Sequence, residues 1–330
     1  METGFWKKLP RPILAMAPMA NVTDAAFRRQ FAECSGAALG KFVFWTEFVS
    51  VEGLLSKGRG QLMADLRFGG DEHPIVAQIF GSKPEQFEKV AAELAGMGFD
   101  GIDINMGCPD AGVEKSGAGA ALIKNPKLAK EIIRAAKSGA GKLPVSVKTR
   151  LGYAKPEIET WIPALLEEKL AALIIHLRTR KEMSDAPAHW ELMPRIVELR
   201  NRISPETLIL GNGDVNSPEE ARSRISEAGA DGMMVGRGLF GNPWFFSGTT
   251  PTVREKLKRM VAHTELFEKM FKSNKTKTEG KLKNFEVMKK HFKAYCTGFD
   301  GAKELRIRLM ETEHAEEARK IAEEFIGTLR

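Results

Sequence analysis

The chain has no apolar run approaching the about 18 residues that a membrane helix needs, so no membrane span is expected. Met1-Glu2-Thr3-Gly4-Phe5-Trp6-Lys7-Lys8 lacks the apolar core of a secretory signal. Cysteine is scarce: Cys34, Cys108 and Cys296 are odd in number and far apart. That argues against a disulfide framework or a Cys-x-x-Cys metal site and predicts a reducing cytoplasm with no bound metal. Charge imbalance is missing from most of the chain. Residues 1–250 hold 31 Lys/Arg against 30 Asp/Glu, and residues 291–330 hold 7 against 8. The formal excess of +7 lies in residues 251–290, with 12 against 5. That segment reads either as a patch for a polyanion, RNA foremost, or as a solvated lysine-rich helix face.

What is present is ordinary in bulk and regular in order. The 330 residues are 43% hydrophobic and 28% charged, as in a soluble globular protein, and suffice for a barrel with an appendage. Short apolar runs recur at Ile13–Met19, Phe42–Val49, Ile75–Gly81, Gly101–Gly107, Val145–Leu151, Leu173–Arg178, Leu208–Val215 and Met233–Gly238. Helical patterns lie between them. Pro84–Met97 has Phe87, Val90, Ala91 and Leu94 on one face, Pro126–Ala136 is another such pattern, and Ser217-Pro218-Glu219-Glu220 reads as an N-cap and first turn. Eight buried parallel strands with helices between them predict an α/β fold, a (β/α)8 TIM barrel over residues 1–249. A doubly wound sheet is the alternative. After Trp244-Phe245-Phe246 the pattern changes to amphipathic helices at 254–271, 282–296 and 311–329, with a polar linker at Lys272–Lys281. Residues 250–330 are expected to form a small all-helical domain.

A barrel works at the C-terminal ends of its strands. Those ends collect Ala17-Pro18-Met19-Ala20, Gln78, Asn105 with Cys108, Lys148 with Arg150, His176 with Arg178, Asn212-Gly213-Asp214 and Gly236-Arg237. The glycines of the last two ends let backbone N–H groups approach a phosphate, with Arg237 adding charge. Lys148 suits the stabilisation of negative charge, or pairs with a carboxylate. Cys108, fixed between Gly107 and Pro109, reads alone as a core thiol or as a reactive group.

In this order the motifs resemble the tRNA-dihydrouridine synthase family. The resemblance runs from Leu14 to about Phe240 and continues more weakly through Lys290-His291 and Tyr295–Leu309. It rests on Ala17-Pro18-Met19-Ala20-Asn21-Val22-Thr23-Asp24 with Phe27-Arg28, Gln78-Ile79-Phe80-Gly81, and Asn105-Met106-Gly107-Cys108-Pro109 with Gly117-Ala118-Gly119-Ala120-Ala121-Leu122. Lys148-Thr149-Arg150-Leu151-Gly152, His176-Leu177-Arg178-Thr179-Arg180, Asn212-Gly213-Asp214-Val215 and Gly236-Arg237-Gly238 complete it. The resemblance implies an FMN-binding barrel, NADPH as reductant, tRNA as substrate and a C-terminal RNA-binding domain; a monomer is expected, though no residue of the sequence fixes the oligomeric state. It makes Cys108 the proton donor. It makes Pro18, Met19, Ala20, Gln78, Lys148, His176, Asn212, Gly213, Asp214, Gly236 and Arg237 flavin contacts. Asn105 and Arg178 would meet the substrate. Two stretches depart from the family pattern, Asp110-Ala111-Gly112 and Ala188-His189-Trp190, and both bear on RNA contacts; His189 is expected to be an exposed loop histidine without a role. The rival reading is a flavin barrel acting on a free pyrimidine or enone.

Overall fold

The computed structural model describes residues 3–271 and 283–329. Eight parallel strands run in chain order: β1 Ile13–Met16, β2 Phe42–Trp45, β3 Ile75–Phe80, β4 Gly101–Met106, β5 Val145–Arg150, β6 Ala172–His176, β7 Leu208–Asn212 and β8 Gly232–Val235. Each pairs with its sequence neighbours, and β8 returns to β1 with Ile13 opposite Gly232, so the sheet closes into a barrel. A two-residue strand, Val49–Ser50, lies beside Ile79–Phe80 at the rim. All eight apolar runs became strands because both faces of each are covered. Most of the strands end one to three residues before the runs do, and the leftover residues form the mouth of the barrel.

The helices between strands are set by caps. In α1, Ala25–Cys34, the Asp24 carboxylate accepts from Phe27 N at 2.9 Å. In α2, Pro84–Ala95, proline takes the first position and Phe87, Val90, Ala91 and Leu94 are buried. Asn125 caps α3, Pro126–Ala140. Then come α4 Trp161–Leu166, α5 Met193–Ile203 and α6 Pro218–Ala228, the last capped by Ser217, whose Oγ accepts from Glu220 N at 3.1 Å. The floor of the barrel is closed by Trp6 from the N-terminal turn Gly4–Lys8, packed on Trp45 with ring centroids 5.9 Å apart.

Among the described residues four helices follow: α7 Val253–Phe271, α8 Val287–Tyr295, α9 Ala302–Met310 and α10 Ala315–Thr328. Their own core holds Leu257, Met260, Phe267, Met288, Phe292, Leu305 and Leu309. The sequence reading had three helices here and missed α9. Leu305, Ile307 and Leu309 alternate like a strand, yet Leu305 and Leu309 are buried one helical turn apart while Ile307 is exposed. The linker expected at Lys272–Lys281 lies outside the described residues. No helix among the described residues is long and apolar enough to cross a membrane.

The helical part meets the barrel through two buried histidines. His263 and His291 stand 4.7 Å apart between ring centroids, against Phe27 of α1 and Phe240. Among the described residues none of their four ring nitrogens has a hydrogen-bond partner. Burial lowers both imidazole pKa values, that of His263 to about 3, with Arg259 adding repulsion. An unfolded imidazole titrates near about 6.5. Stability from keeping these rings neutral is therefore complete above that pH and falls as the pH drops toward the folded value, by up to about 1.4 kcal/mol per pH unit per histidine. The parent chain should lose stability relative to a His263→Leu/His291→Leu variant as chemical denaturation is repeated from pH about 7.5 down to about 5. A stability difference that does not change with pH would contradict this.

Candidate active site

A cavity of about 470 Å³ opens at the C-terminal end of the barrel, within the range of about 300–1,000 Å³ common for small-molecule sites. Pro18 and Met19 line it after β1, Gln78 on β3, and Asn105 and Cys108 at the end of β4. Lys148, His176, Arg178, Asn212, Gly213, Asp214, Gly236 and Arg237 complete the sequence-derived set. Ala20 is exposed and lies just outside the lining. Phe48, Ser184 and Asn216 also line the cavity and were not singled out from the sequence. Arg150 was noted there without a role; its place two residues after Lys148, on the same face of β5, was the available signal.

Cys108 sits on a loop held by four hydrogen bonds from three residues. Asn105 Oδ1 accepts from Gly107 N at 3.1 Å and from Cys108 N at 2.9 Å. Arg150 Nε donates to Gly107 O at 2.8 Å, tying the loop to the next strand. Ala120 N donates to Cys108 O at 2.9 Å. The chain can pass this close because residue 119 is glycine: its φ is +59°, and a Cβ there would lie 2.7 Å from Cys108 O. Asp110, one of the departures, has a local task, since its Oδ1 accepts from Gly112 N and Val113 N and starts the turn Ala111–Lys115. Burial pushes the Cys108 thiol up, which keeps it protonated at neutral pH.

Opposite the thiol, Lys148 Nζ donates to Asn212 Oδ1 at 3.1 Å, and Asn212 Nδ2 donates to Met234 O at 2.8 Å. Burial, with Arg150 nearby, brings the Lys148 ammonium down to about 8. Burial and the surrounding cations hold His176 well below its usual range, so its ring is neutral. Arg178 Nη1 lies 3.1 Å from His176 Nε2. A guanidinium only donates, so Nε2 accepts and the ring proton is on Nδ1. Arg178 is 2% exposed and also donates to Asp214 and to Ala186 O; its contacts orient His176 and Asp214. Arg237 reaches the other Asp214 oxygen at 2.6 Å. Two guanidiniums against one carboxylate leave this end of the cavity net positive. It is also bare: a Cβ on Gly236 would stand 3.5 Å from Met19 Sδ, closing space between β8 and β1. An ammonium, two amides and a positive, glycine-lined end fit a planar ring with a phosphate at its far side.

The second departure is also structural. His189, expected to be an exposed loop histidine without a role, is paired with Glu182 at 2.8 Å and Glu191 at 3.0 Å, and these bonds raise its pKa. Trp190 Nε1 donates to Gly213 O at 3.0 Å, and Ala188 N donates to Asp214 at 2.8 Å. This loop therefore braces the β7 end of the cavity. The sequence motif at residues 17–28 is braced likewise: Thr23 Oγ1 accepts from Met19 N at 2.9 Å, and buried Arg28 pairs with Glu72 at 2.5 Å.

One lysine of the basic segment was misread. Lys283 is turned inward, 7% exposed, against Glu47, with Asp65 at 3.0 Å and Asp24 at 4.0 Å. Glu47 in turn accepts from Asn21 N beside Met19 and Ala20. Arg259 faces Glu33 and Lys289 faces Glu286. Lys272, Lys275, Lys277 and Lys281 lie outside the described residues. Among the described residues, no group of three or more His, Cys, Asp or Glu is placed to hold a metal ion.

A family model described as dihydrouridine synthase matches residues 15–328. A Staphylococcus aureus protein named "Probable tRNA-dihydrouridine synthase" is 44% identical over 329 residues, covering 98% of this chain and 96% of its own. A Bacillus subtilis protein named "Probable tRNA-dihydrouridine synthase 2" is 41% identical, covering 98% and 97%. Among solved structures, an old yellow enzyme homologue from Zymomonas mobilis matches at TM-score 0.47 and 15% identity, covering 70% of this chain and 85% of its own.

Proposed function

The chain belongs to the dihydrouridine synthase family, and from that premise we infer that it reduces the C5=C6 bond of particular uridines in tRNA to 5,6-dihydrouridine, as a flavin-dependent cytoplasmic enzyme. The observation that carries this reading is the Cys108 thiol, fixed at the mouth of a cavity that also holds Lys148 and a positive, glycine-lined end. FMN, reduced by NADPH, would when bound supply the hydride that C6 of the uracil requires. Lys148, Gln78, Asn212 and His176 would meet the ring of that cofactor, Pro18, Met19 and Ala20 its flank, and Gly213, Asp214, Gly236 and Arg237 its phosphate end. Negative charge develops at C5 and O4 of the uracil, and Cys108 Sγ delivers its proton to C5. Asn105 would stand between the base and the Cys108 loop, and Arg178, expected to meet the substrate, is buried against His176 and Asp214 and would brace those cofactor contacts instead.

The base must leave its stack to enter the cavity, which costs least in a loop of folded RNA. The helical part from about residue 250, with the basic stretch at 272–281, supports a role in holding the tRNA body through its phosphates. Lys283 is excluded from that role by its buried partners. The proposed enzyme acts as a monomer.

The test is reductant consumption. Under anaerobic conditions the purified flavoprotein should oxidise NADPH in proportion to added tRNA lacking dihydrouridine, and not with free uracil or uridine. Turnover with the free pyrimidine and none with tRNA would favour the rival reductase.

A further inference from the structure

Beneath the cavity, side chains from three adjacent strands form one directional relay. Asp103, fully buried on β4, accepts from Gln78 Nε2 at 2.6 Å and from Ser146 Oγ at 2.5 Å. Gln78 Oε1 accepts from Asn105 Nδ2 at 3.0 Å. Asn105 Oδ1 accepts from the N–H groups of Gly107 and Cys108. An ionised carboxylate can only accept. Gln78 must therefore turn its NH2 to Asp103 and its oxygen to Asn105. Asn105 turns its own NH2 to Gln78 and its oxygen to the Cys108 loop, whose two N–H groups can only donate and so require the same direction. An amide by itself has no such preference, and reversing either one sets like atoms against each other in a buried place.

We propose that Asp103 is a positioning residue for the reaction: its carboxylate anchors the buried end of the Gln78–Asn105 relay, whose other end holds the main chain that carries the Cys108 thiol. This rests on Cys108 being the proton donor. Asp103 neither touches the thiol nor itself lines the cavity; it acts through two amides, the first of them the lining residue Gln78.

The relay has a built-in acid limit. Burial raises the Asp103 carboxyl to about 6, against the bonds from Gln78 and Ser146 and against the Lys148 ammonium, the charged group that faces it from β5. The Trp45 indole faces it from β2 and carries no charge. A protonated carboxyl can donate, and the relay is then held in its direction from the Cys108 end alone. The kcat for tRNA should fall as the pH drops through about 6, while a thiol acid by itself is favoured by low pH.

Asp103→Asn keeps the shape and removes the charge. The expected result is unchanged flavin content and NADPH-driven flavin reduction, a KM for tRNA near the parent value, a kcat lower by about 10- to 100-fold, the scale of a small misplacement of a reacting group, and loss of the acid limb. A kcat close to the parent value with the acid limb intact overturns the proposal. So does joint loss of flavin and fold stability in both Asp103→Asn and Ser146→Ala, which would mark a purely structural anchor. Site-resolved alkylation of Cys108 needs no tRNA and separates the two readings. A several-fold change in Cys108 alkylation in Asp103→Asn supports the relay even if the parent protein makes no dihydrouridine, and an unchanged rate counts against it.

Discussion

Cys108→Ala should reduce tRNA turnover by about 10²- to 10⁴-fold, the usual cost of removing a positioned general acid, while flavin content and its reduction by NADPH stay at parent values. The split follows from where the thiol sits. It lines the cavity mouth on the β4 loop, whereas the cofactor-side groups Lys148, Asn212, Gly236 and Arg237 come from β5, β7 and β8. The loop is held through backbone atoms, by Asn105, Arg150 and Ala120, so truncating the side chain leaves its anchors in place. Cys108→Ser should recover little, because a hydroxyl is a far weaker acid than a thiol. Near-parent dihydrouridine formation by Cys108→Ala would remove the proton-donor assignment.

The second large effect is on stability. Lys283→Met should destabilise the protein by about 3–5 kcal/mol, the cost of leaving buried charge uncompensated. Lys283 is the cation among Glu47, Asp65 and Asp24, and Asp24 Oδ2 has no hydrogen-bond partner among the described residues. Burial already raises the Glu47 carboxyl, Lys283 opposes that rise, and Asp24 and Asp65 add to it. Without the lysine the carboxyl rises further. A group whose folded pKa is raised is most destabilising where it must ionise, so the deficit of the variant should be largest near pH about 8 and shrink toward pH about 5. Denaturant titrations of parent and variant at both pH values give the sign. An equal deficit at both, or none at either, would mean that the cluster is solvated. Glu47 also accepts from Asn21 N, so weaker flavin retention should accompany the loss.

The barrel was legible because burial on both faces writes each strand as an unbroken apolar run. The same property blurred the strand ends, since Ala17-Pro18-Met19 and Leu177 continue the run into the mouth. Most of the cavity followed from the strand ends, as in any barrel of this kind. What the sequence hid depends on distant partners. Nothing near Lys283 marks it as buried, because Glu47 stands 236 residues away. The alternation Leu305-Ile307-Leu309 hid a helix whose exposed Ile307 is the misleading member. Asp103 left a signal that went unused: a carboxylate between Ile102 and Ile104, inside a strand with no exposed face, needs partners.

The most direct measurement of the central claim is a single turnover. The flavoprotein, reduced with NADPH and freed of excess reductant without oxygen, is mixed with tRNA lacking dihydrouridine, and the RNA is then mapped by mass spectrometry. The account predicts return of the oxidised-flavin absorbance together with a gain of two hydrogens at defined uridines, in equal amounts. Flavin reoxidation by tRNA with no uridine gaining two hydrogens, or no reoxidation at all, would contradict it.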